Sequence, residues 1–514
     1  MSCVIRTLMG RVLIGVDAGT SMIKAVAFSL DGGERYVSAR ENPVKNPRPG
    51  WAEQDMALTW HQTGAAIDDV TTDLSEGEEV VGVGVTGQGD GCWLIDDEGE
   101  PVRDAILWSD GRTTPYIDEW ADDGTTQRAA AVCGSAVFPG TSAAIYRWLA
   151  DNEPEATERA ETVLFCKDWL KHELTGERVS DPSDMSLPYL DVETVEYAPE
   201  IPETFGVPEL ADLLPPLRPA TEVVGTVTPE AAARTGLPEG TPVASSLFDM
   251  PSMAIGTGAI EPGDSSSIVG TTSVNQTLLD EPNTEPQGVG FTLPLGIEGL
   301  WTRAMAAMAG TPNLDWFLDE IVESRDFAAI ESRIESIPVG AEGLLYHPYL
   351  SEAGERSPFL ETTARASFSG LAPRHTEDHM IRAIYEGIAF SVRDCFEYIP
   401  AEPDTVRLSG GGARSDFWCR IFADCIDTPV VVPDGAEFGA KGAAMLAGIA
   451  VGEYDDVVEA VERTTTTAQS YEPDEANAAR YDRWYGLYKD VYESMFEHWR
   501  TREEILTDLE GGDE

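Results

Sequence analysis

The chain has 514 residues and a formal net charge of -56, from 91 Asp and Glu against 35 Lys and Arg. Its length suits two or three ordinary domains, and a surface so acidic repels a phosphate backbone before contact, which excludes nucleic acid as an expected partner. With 42% hydrophobic residues and 12 Trp, 16 Phe and 15 Tyr, the sequence can nevertheless build large cores rather than remain disordered.

No apolar run approaches the ~18 residues of a membrane span. Met1 to Arg11 carries two arginines and no long apolar stretch, so no secretory signal is read there, and the expected location is cytoplasmic. Because Met9 stands just before the first strand-like run, residues 1–10 read as a disordered or mis-called start. The seven cysteines (Cys3, Cys92, Cys133, Cys166, Cys395, Cys419, Cys425) form no CxxC pair and read as reduced, structural thiols. Only six of the 35 basic residues are lysine. Acidic, lysine-poor surfaces are what solubility in concentrated salt favours, which points to a halophile's cytosol.

From Arg11, RVLIGVDAGTSMIKAVAFSLDG predicts two strands joined at Ala18-Gly19-Thr20, a β-hairpin. An amphipathic helix follows over Met56 to Leu74, then a strand-like run from Val80 to Val102. Residues 141–176 read as mostly helical, broken at Pro154. Near mid-chain, SSSIVGTTSVNQTLL (265–279) predicts a second strand, hydroxyl-rich turn and strand, 251 residues after the first such turn, which suggests duplicated lobes. Later come a strand at Thr405 to Leu408, a helix at Phe417 to Ile426, a small-residue helix from Lys441 to Ala450 and a long polar helix from Asp474 to Leu506. The boundary between halves is expected between Gly256 and Gly263.

Asp17 ends an apolar strand before a Gly-Thr-Ser turn, where it can hold Mg²⁺ beside a phosphate-cradling backbone or serve as an Asx-turn. Lys24 is the lone charge of its strand and on its own reads as a solvated edge residue. There is no Walker A sequence. Gly82, Gly84 and Gly87 match GxGxxG, but inside a strand-like run rather than before a helix, so no dinucleotide site is expected. Gly270 to Ser273 and Gly410-Gly411-Gly412 can meet phosphate or nucleoside through backbone. Asp249, where an apolar strand runs into a turn, is either a helix N-cap or the acceptor of a hydroxyl proton, and spacing alone favours the cap. Asp90, Trp108, Asp110 and Arg112 cluster within 23 residues, a mixture that suits a sugar or polyol, and a solvated acidic loop is the plainer account. No GxSxG or HExxH occurs, which leaves hydrolase and zinc chemistry without residues.

The ordered set VDAGTSMIKAVAF, PGWAEQD, GQGDG with ILWSDGR, SLFDMPSMAIG, SIVGTTS, LLYHPYLSEAGERSPF, AIYEGIAFSVRD, LSGGGARSDFWCRIFAD and EFGAKGAAMLAG resembles the FGGY family of carbohydrate kinases, over about residues 11 to 460. The resemblance implies an α/β fold of two ribonuclease-H-like lobes, of the actin, hexokinase and heat-shock-chaperone type, with ATP in an interlobe cleft. It implies a sugar-binding N-terminal lobe over 11–257 and an ATP-binding C-terminal lobe over 258–514. By the same resemblance Asp17 is the metal and phosphate acid. Thr20 and Lys24 belong to a first phosphate loop, Gly270 and Thr271 to a second, and Gly411, Gly412 and Asp416 to the adenosine side. Asp249 becomes the catalytic base, against the cap that spacing favours.

The implied reaction is ATP- and Mg²⁺-dependent phosphorylation of a sugar or polyol hydroxyl, with Asp90, Trp108 and Asp110 lining the acceptor pocket. Xylulose kinases of the family usually carry Met-His, and glycerol kinases Arg-Glu, where this chain has Gly89-Asp90. PGWAEQDM, SLFDMPS, NLDWF and AIYEGIAFS look most like the L-xylulose and erythritol branch. The expected acceptor is a ketopentose such as L-xylulose or xylulose, with an erythritol- or glycerol-type polyol as the alternative. A non-catalytic sensor on this scaffold would have these acids altered, and an actin-like ATPase would need no sugar. Dimers are frequent in the family, so a homodimer is one expected assembly.

Overall fold

The computed structural model describes residues 10–297, 299–322 and 324–510. Cys3 and the expected irregular start lie outside these residues, apart from Gly10.

The chain divides into two compact units. The first holds the residues up to Pro262 together with 278–303 and 435–466, and the second holds 263–277, 304–434 and the residues from Thr467 onward. The change after Pro262 falls where the glycine-rich segment suggests, but the units are not collinear with the sequence. Residues 435–466, late in the chain, belong with the first unit.

The first unit's sheet comprises β1 (Arg11–Ala18), β2 (Met22–Ser29), β3 (Glu34–Glu41), β4 (Glu79–Gly87), β5 (Val223–Thr226) and β6 (Pro242–Ala244), in the order β5-β6-β4-β1-β2-β3. β1 and β2 form the expected antiparallel hairpin, and β1 pairs in parallel with β4. Buried along nearly its whole length, β1 reads as a continuous apolar run rather than an alternation. Its one acid, Asp17, falls at the exit end, opposite Lys24 of β2. β2 is an interior strand, flanked by β1 and β3, so Lys24 is not a solvated edge residue. The Gly82-Gly84-Gly87 match lies inside β4, and the next element is the short strand Trp93–Ile95, so the helix a dinucleotide site requires is missing.

The Met56–Asp73 helix starts at Asp55, whose carboxylate accepts the Leu58 N–H at 3.0 Å, and it buries Met56, Trp60, Ile67 and Val70 in the core. Residues 141–176 give the helices Ser142–Asn152, Pro154–Arg159 and Cys166–Thr175. The three-residue strand Thr162–Leu164 between them was not expected, being too short to show a period. Pro154 opens its helix at the first turn, where its missing N–H costs nothing.

The Phe438–Ala450 helix packs against β1 and β4. A Cβ on Gly84 would come within 2.0 Å of the Ala443 carbonyl oxygen, so the approach is backbone to backbone. That closeness explains the small residues of this helix. Ala440, Ala444, Met445, Leu446 and Ala447 fill one core with Leu13, Val26 and Phe28.

In the second unit, the last two residues of β8 apart, β7 (Asp264–Val269), β8 (Ser273–Leu279), β9 (Thr405–Gly410), β10 (Val430–Pro433) and β11 (Thr467–Tyr471) run in the order β8-β7-β9-β10-β11. β7 pairs antiparallel with β8 and parallel with β9, the wiring of β1, β2 and β4 repeated. The long polar helix is Glu475–Glu510. It buries Tyr481, Tyr485, Tyr488, Tyr492 and Trp499, whose three-, four- and seven-residue spacings define one face. The six described cysteines are buried and free.

Candidate active site

Asp17 and Asp249 both belong to the first unit. Asp249 opens the Asp249–Thr257 helix as its first helical residue, and Phe248 occupies the cap position. The N-cap that spacing favours is therefore displaced by one residue. Its Oδ1 accepts its neighbour's N–H, from Met250 at 2.7 Å. Burial pushes the Asp249 carboxyl up to about 7; the nearby charge of Asp17 adds to the rise and the Met250 N–H opposes it. Asp17 is pushed up to about 6 by burial, with Lys24 opposing and Glu437 reinforcing the rise. An acid poised near neutrality is suited to take a proton in a transition state.

Asp17 is held from two sides. Lys24 faces it across the hairpin and pairs with Glu437, Nζ to Oε2 at 2.7 Å. Gly439, in the first turn of the Phe438–Ala450 helix, comes so close that a Cβ there would lie 2.4 Å from Asp17 Oδ2. The carboxylate is partly exposed, offers oxygen ligands, and sits beside a single ammonium already shared with Glu437. This donor chemistry fits a magnesium ion.

Of the residues expected to line the acceptor pocket, Trp108 heads a hydrogen-bonded chain. Trp108 Nε1 donates to Thr20 Oγ1 at 2.9 Å, and Thr20 donates to Gln88 Oε1 at 2.9 Å. Gln88 Nε2 in turn donates to Gln54 Oε1 at 2.8 Å. Thr20 is thus tied to Trp108 and the GQGDG loop. Asp90, at φ 55°, is nearly buried in that loop; Asp tolerates this backbone region better than most side chains, and such strain clusters at functional sites.

Asp110 points elsewhere. Its oxygens accept the Ala52 N–H at 2.6 Å and both the backbone and guanidinium N–H groups of Arg112 at 2.8–2.9 Å. Arg112, fully buried, also donates to Glu53 at 2.7 Å and lies 3.9 Å from the Trp51 ring centroid and 4.9 Å from that of Trp148. Asp110 therefore orders the loop, with no free carboxylate edge for a ligand.

In the second unit a pocket of about 550 Å³ is lined by Thr311, Leu314, Tyr385, Gly411, Arg414 and Trp418, among others. Of the residues expected on the nucleotide side, Gly411 lines it. Gly412 packs beneath, close to Val269 and Phe422. Asp416 lies one residue past the lining Ser415, and its Oδ1 accepts the Tyr471 hydroxyl at 2.7 Å. The Gly270-Thr271 turn is joined to the pocket wall by the Thr311 N–H, which donates to the Gly270 carbonyl at 2.7 Å. Sequence reasoning missed Gln54, Gln88, Tyr385 and Trp418. All four stand inside the quoted motifs, so the signal was present without a role attached.

Residues 12–256 match the N-terminal domain of the FGGY family of carbohydrate kinases, and residues 266–451 its C-terminal domain. The chain is 32% identical over 510 residues to an erythritol kinase of Brucella abortus, covering 95% of this chain and 97% of the relative. It is 30% identical over 496 residues to an L-xylulose/3-keto-L-gulonate kinase of Escherichia coli, covering 94% and 97%. Among solved structures, a gluconate kinase of Lactobacillus acidophilus superimposes with a TM-score of 0.90 at 22% identity, covering 96% of this chain and 99% of that one, and it shares the two-lobed α/β fold of the actin and hexokinase type. Among the described residues no helix is long and apolar enough to cross a membrane. Matched along both of its domains, the chain belongs to the FGGY family of carbohydrate kinases.

Proposed function

We propose that this kinase transfers the γ-phosphoryl group of ATP to a hydroxyl of a ketopentose such as L-xylulose or xylulose, with Asp249 as the base. The observation that carries the reading is the Asp249 carboxyl, lifted to about 7 beside a second raised acid. Phosphoryl transfer needs positioning, charge stabilisation and a destination for the hydroxyl proton. Ionised Asp249 takes that proton at a carboxylate oxygen. The Met250 N–H holds Oδ1 in place, which leaves Oδ2 for the acceptor. Trp108 and the Asp90 loop bind the carbon face and hydroxyls of the acceptor.

The adenosine occupies the Tyr385–Trp418 pocket, where flat side chains suit a purine. The backbone at Gly270-Thr271, joined to that pocket through Thr311, faces the phosphates. Asp17 would hold Mg²⁺, which would neutralise charge on the phosphate oxygens when bound. Lys24 keeps Asp17 oriented and lowers its carboxyl toward the ionised form.

A tetritol acceptor is favoured by one specific observation, the 32% identity to an erythritol kinase. ADP release measured with a panel of pentuloses and tetritols, at high KCl to suit the acidic surface, separates the two. A ketopentose is expected to give the highest kcat/KM, and erythritol in first place would select the alternative. Asp249→Asn is expected to bind ATP as the parent does and to lose about 10²–10⁴-fold in phosphorylation, the range typical of a general base. Full activity in that variant would overturn the base assignment.

A further inference from the structure

A cluster of five charged side chains lies wholly inside the first unit. Lys167, Asp168, Lys171, Asp181 and Asp184 are each fully buried. Lys167 Nζ lies 2.5 Å from Asp168 Oδ1, 2.8 Å from Asp181 Oδ1 and 3.0 Å from Asp184 Oδ2, and Lys171 Nζ lies 3.0 Å from Asp168 Oδ1. Burial, with Asp168 and Asp181 adding to it, pushes the Asp184 carboxyl well above the ordinary carboxylate range against the pull of Lys167. Lys171 is pulled the other way, its ammonium form disfavoured by burial and by the charge of Lys167. Apolar side chains of similar volume often stabilise an interior as well as such a group does. Stability is thus a weak account of why charges stand here, and geometry is the stronger one. In a chain of six lysines, Lys167, Lys171 and Lys441 are the buried ones, so this residue persists where a compact charge fits the interior.

The cluster has two arms, and both reach the segment leading into Asp249. Lys171 Nζ donates to the Ser245 carbonyl at 2.9 Å. Asp181 Oδ2 accepts the Ser183 hydroxyl at 2.6 Å, and that oxygen accepts the Phe248 N–H at 3.3 Å. Between the two anchor points Ser246 is held at φ 60°, a strained conformation for a serine. Phe248 precedes Asp249, and its ring blocks one side of the acceptor loop, since a Cβ on Gly89 would fall 2.7 Å from it. The Asp184 carboxyl borders the same spot, with Oδ1 3.4 Å from that Cβ position.

We infer that Lys171 and Ser183, fixed by Asp168 and Asp181, are positioning residues that clamp the Ser245–Phe248 segment and so aim the Asp249 carboxylate at the acceptor hydroxyl. This rests on the assignment of Asp249 as the base. The cluster touches no reacting atom in this scheme. It acts by holding the backbone at both ends of a strained turn, where an error of about 1 Å can cost about a hundredfold in rate.

Ser183→Ala removes one oxygen and keeps the volume nearly constant. Lys171→Met with Asp168→Asn removes one charge of each sign, so the cluster stays balanced while the Ser245 anchor is lost. Each is assayed beside Lys171→Met alone and Asp249→Asn, recording kcat, KM for ATP and for the acceptor, and the melting temperature. In both Ser183→Ala and the balanced pair, kcat is expected to fall about tenfold to a hundredfold with KM for ATP unchanged. In the balanced pair this holds even where the melting temperature recovers relative to Lys171→Met alone. A kcat that recovers along with the melting temperature, or a Ser183→Ala enzyme with the parent's kcat, would refute the clamp. If the paired variant does not fold, Ser183→Ala decides alone. An active Asp249→Asn enzyme would overturn the base assignment, a failure distinct from either of these.

Discussion

Replacing Gly439 by alanine tests the Asp17 site with one methyl group. The new Cβ would lie 2.4 Å from Asp17 Oδ2 and 3.0 Å from its Cγ. An ordinary van der Waals separation is about 3.5 Å, so the carboxylate must retreat by about 1 Å. Asp17 is a short side chain on a buried strand paired on both sides by β2 and β4, so little of that movement can be absorbed by the backbone. A displacement of this size at a positioned catalytic group costs about a hundredfold in rate. The effect on stability is small by comparison. Alanine is favoured over glycine in a helix by about 0.5–1 kcal/mol, which offsets part of the roughly 1–3 kcal/mol of overpacking. Gly439→Ala should therefore melt close to the parent in a urea titration, bind ATP normally, and turn over about a hundred times more slowly in a coupled ADP-release assay. A variant with kcat within about threefold of the parent, or one whose loss of activity tracks an equal loss of stability, would refute the argument.

The remaining predictions concern protons, nucleotide and core. A carboxyl works as a base only when ionised, and the proposed base is Asp249. With its carboxyl raised to about 7, the acidic limb of kcat/KM should lie near neutrality, well above the ordinary range of an aspartate, with activity falling as pH drops through it; a profile flat down to pH about 5 would contradict this. Trp418→Ala should raise KM for ATP about tenfold with little change in the acceptor's KM, because it strips an aromatic wall from the second-unit pocket; initial-rate kinetics with each substrate varied decide it. Arg112→Ala should lower unfolding free energy by about 3–5 kcal/mol, since it leaves the buried Asp110 carboxylate without its partner. Asp110→Asn should cost less, and equal urea midpoints for the two variants would count against that ordering.

The hairpin turns at Ala18 and Gly270 and the helices at 416–426 and 475–510 were legible, because each is written locally in alternation, small residues or a helical stripe. Asp249 shows where local reading stops. Strand-then-turn spacing favours an N-cap, whereas the folded chain puts Phe248 at the cap and buries the acid where the charge of Asp17 reaches it. Asp110 shows the same limit from the other side: an acid next to Trp108 in sequence reads as a ligand, yet a neighbour two residues on takes its oxygens. Asp181 and Asp184 carry no sequence signal at all, since the lysine they pair with, Lys167, is brought to them only by the folded chain.

The placement of residues 435–466 in the first unit bears on how the chain is made. A ribosome that has released everything through Pro262 has delivered both Asp17 and Asp249, yet β1 and β4 still lack the helix whose carbonyls rest on Gly15 and Gly84. That apolar face stays bare while the intervening stretch is translated, a window in which partly folded chains are prone to aggregate or to need a chaperone. A gene fragment ending at the apparent midpoint would make that interval permanent, and its product should be insoluble rather than a free-standing sugar-binding half.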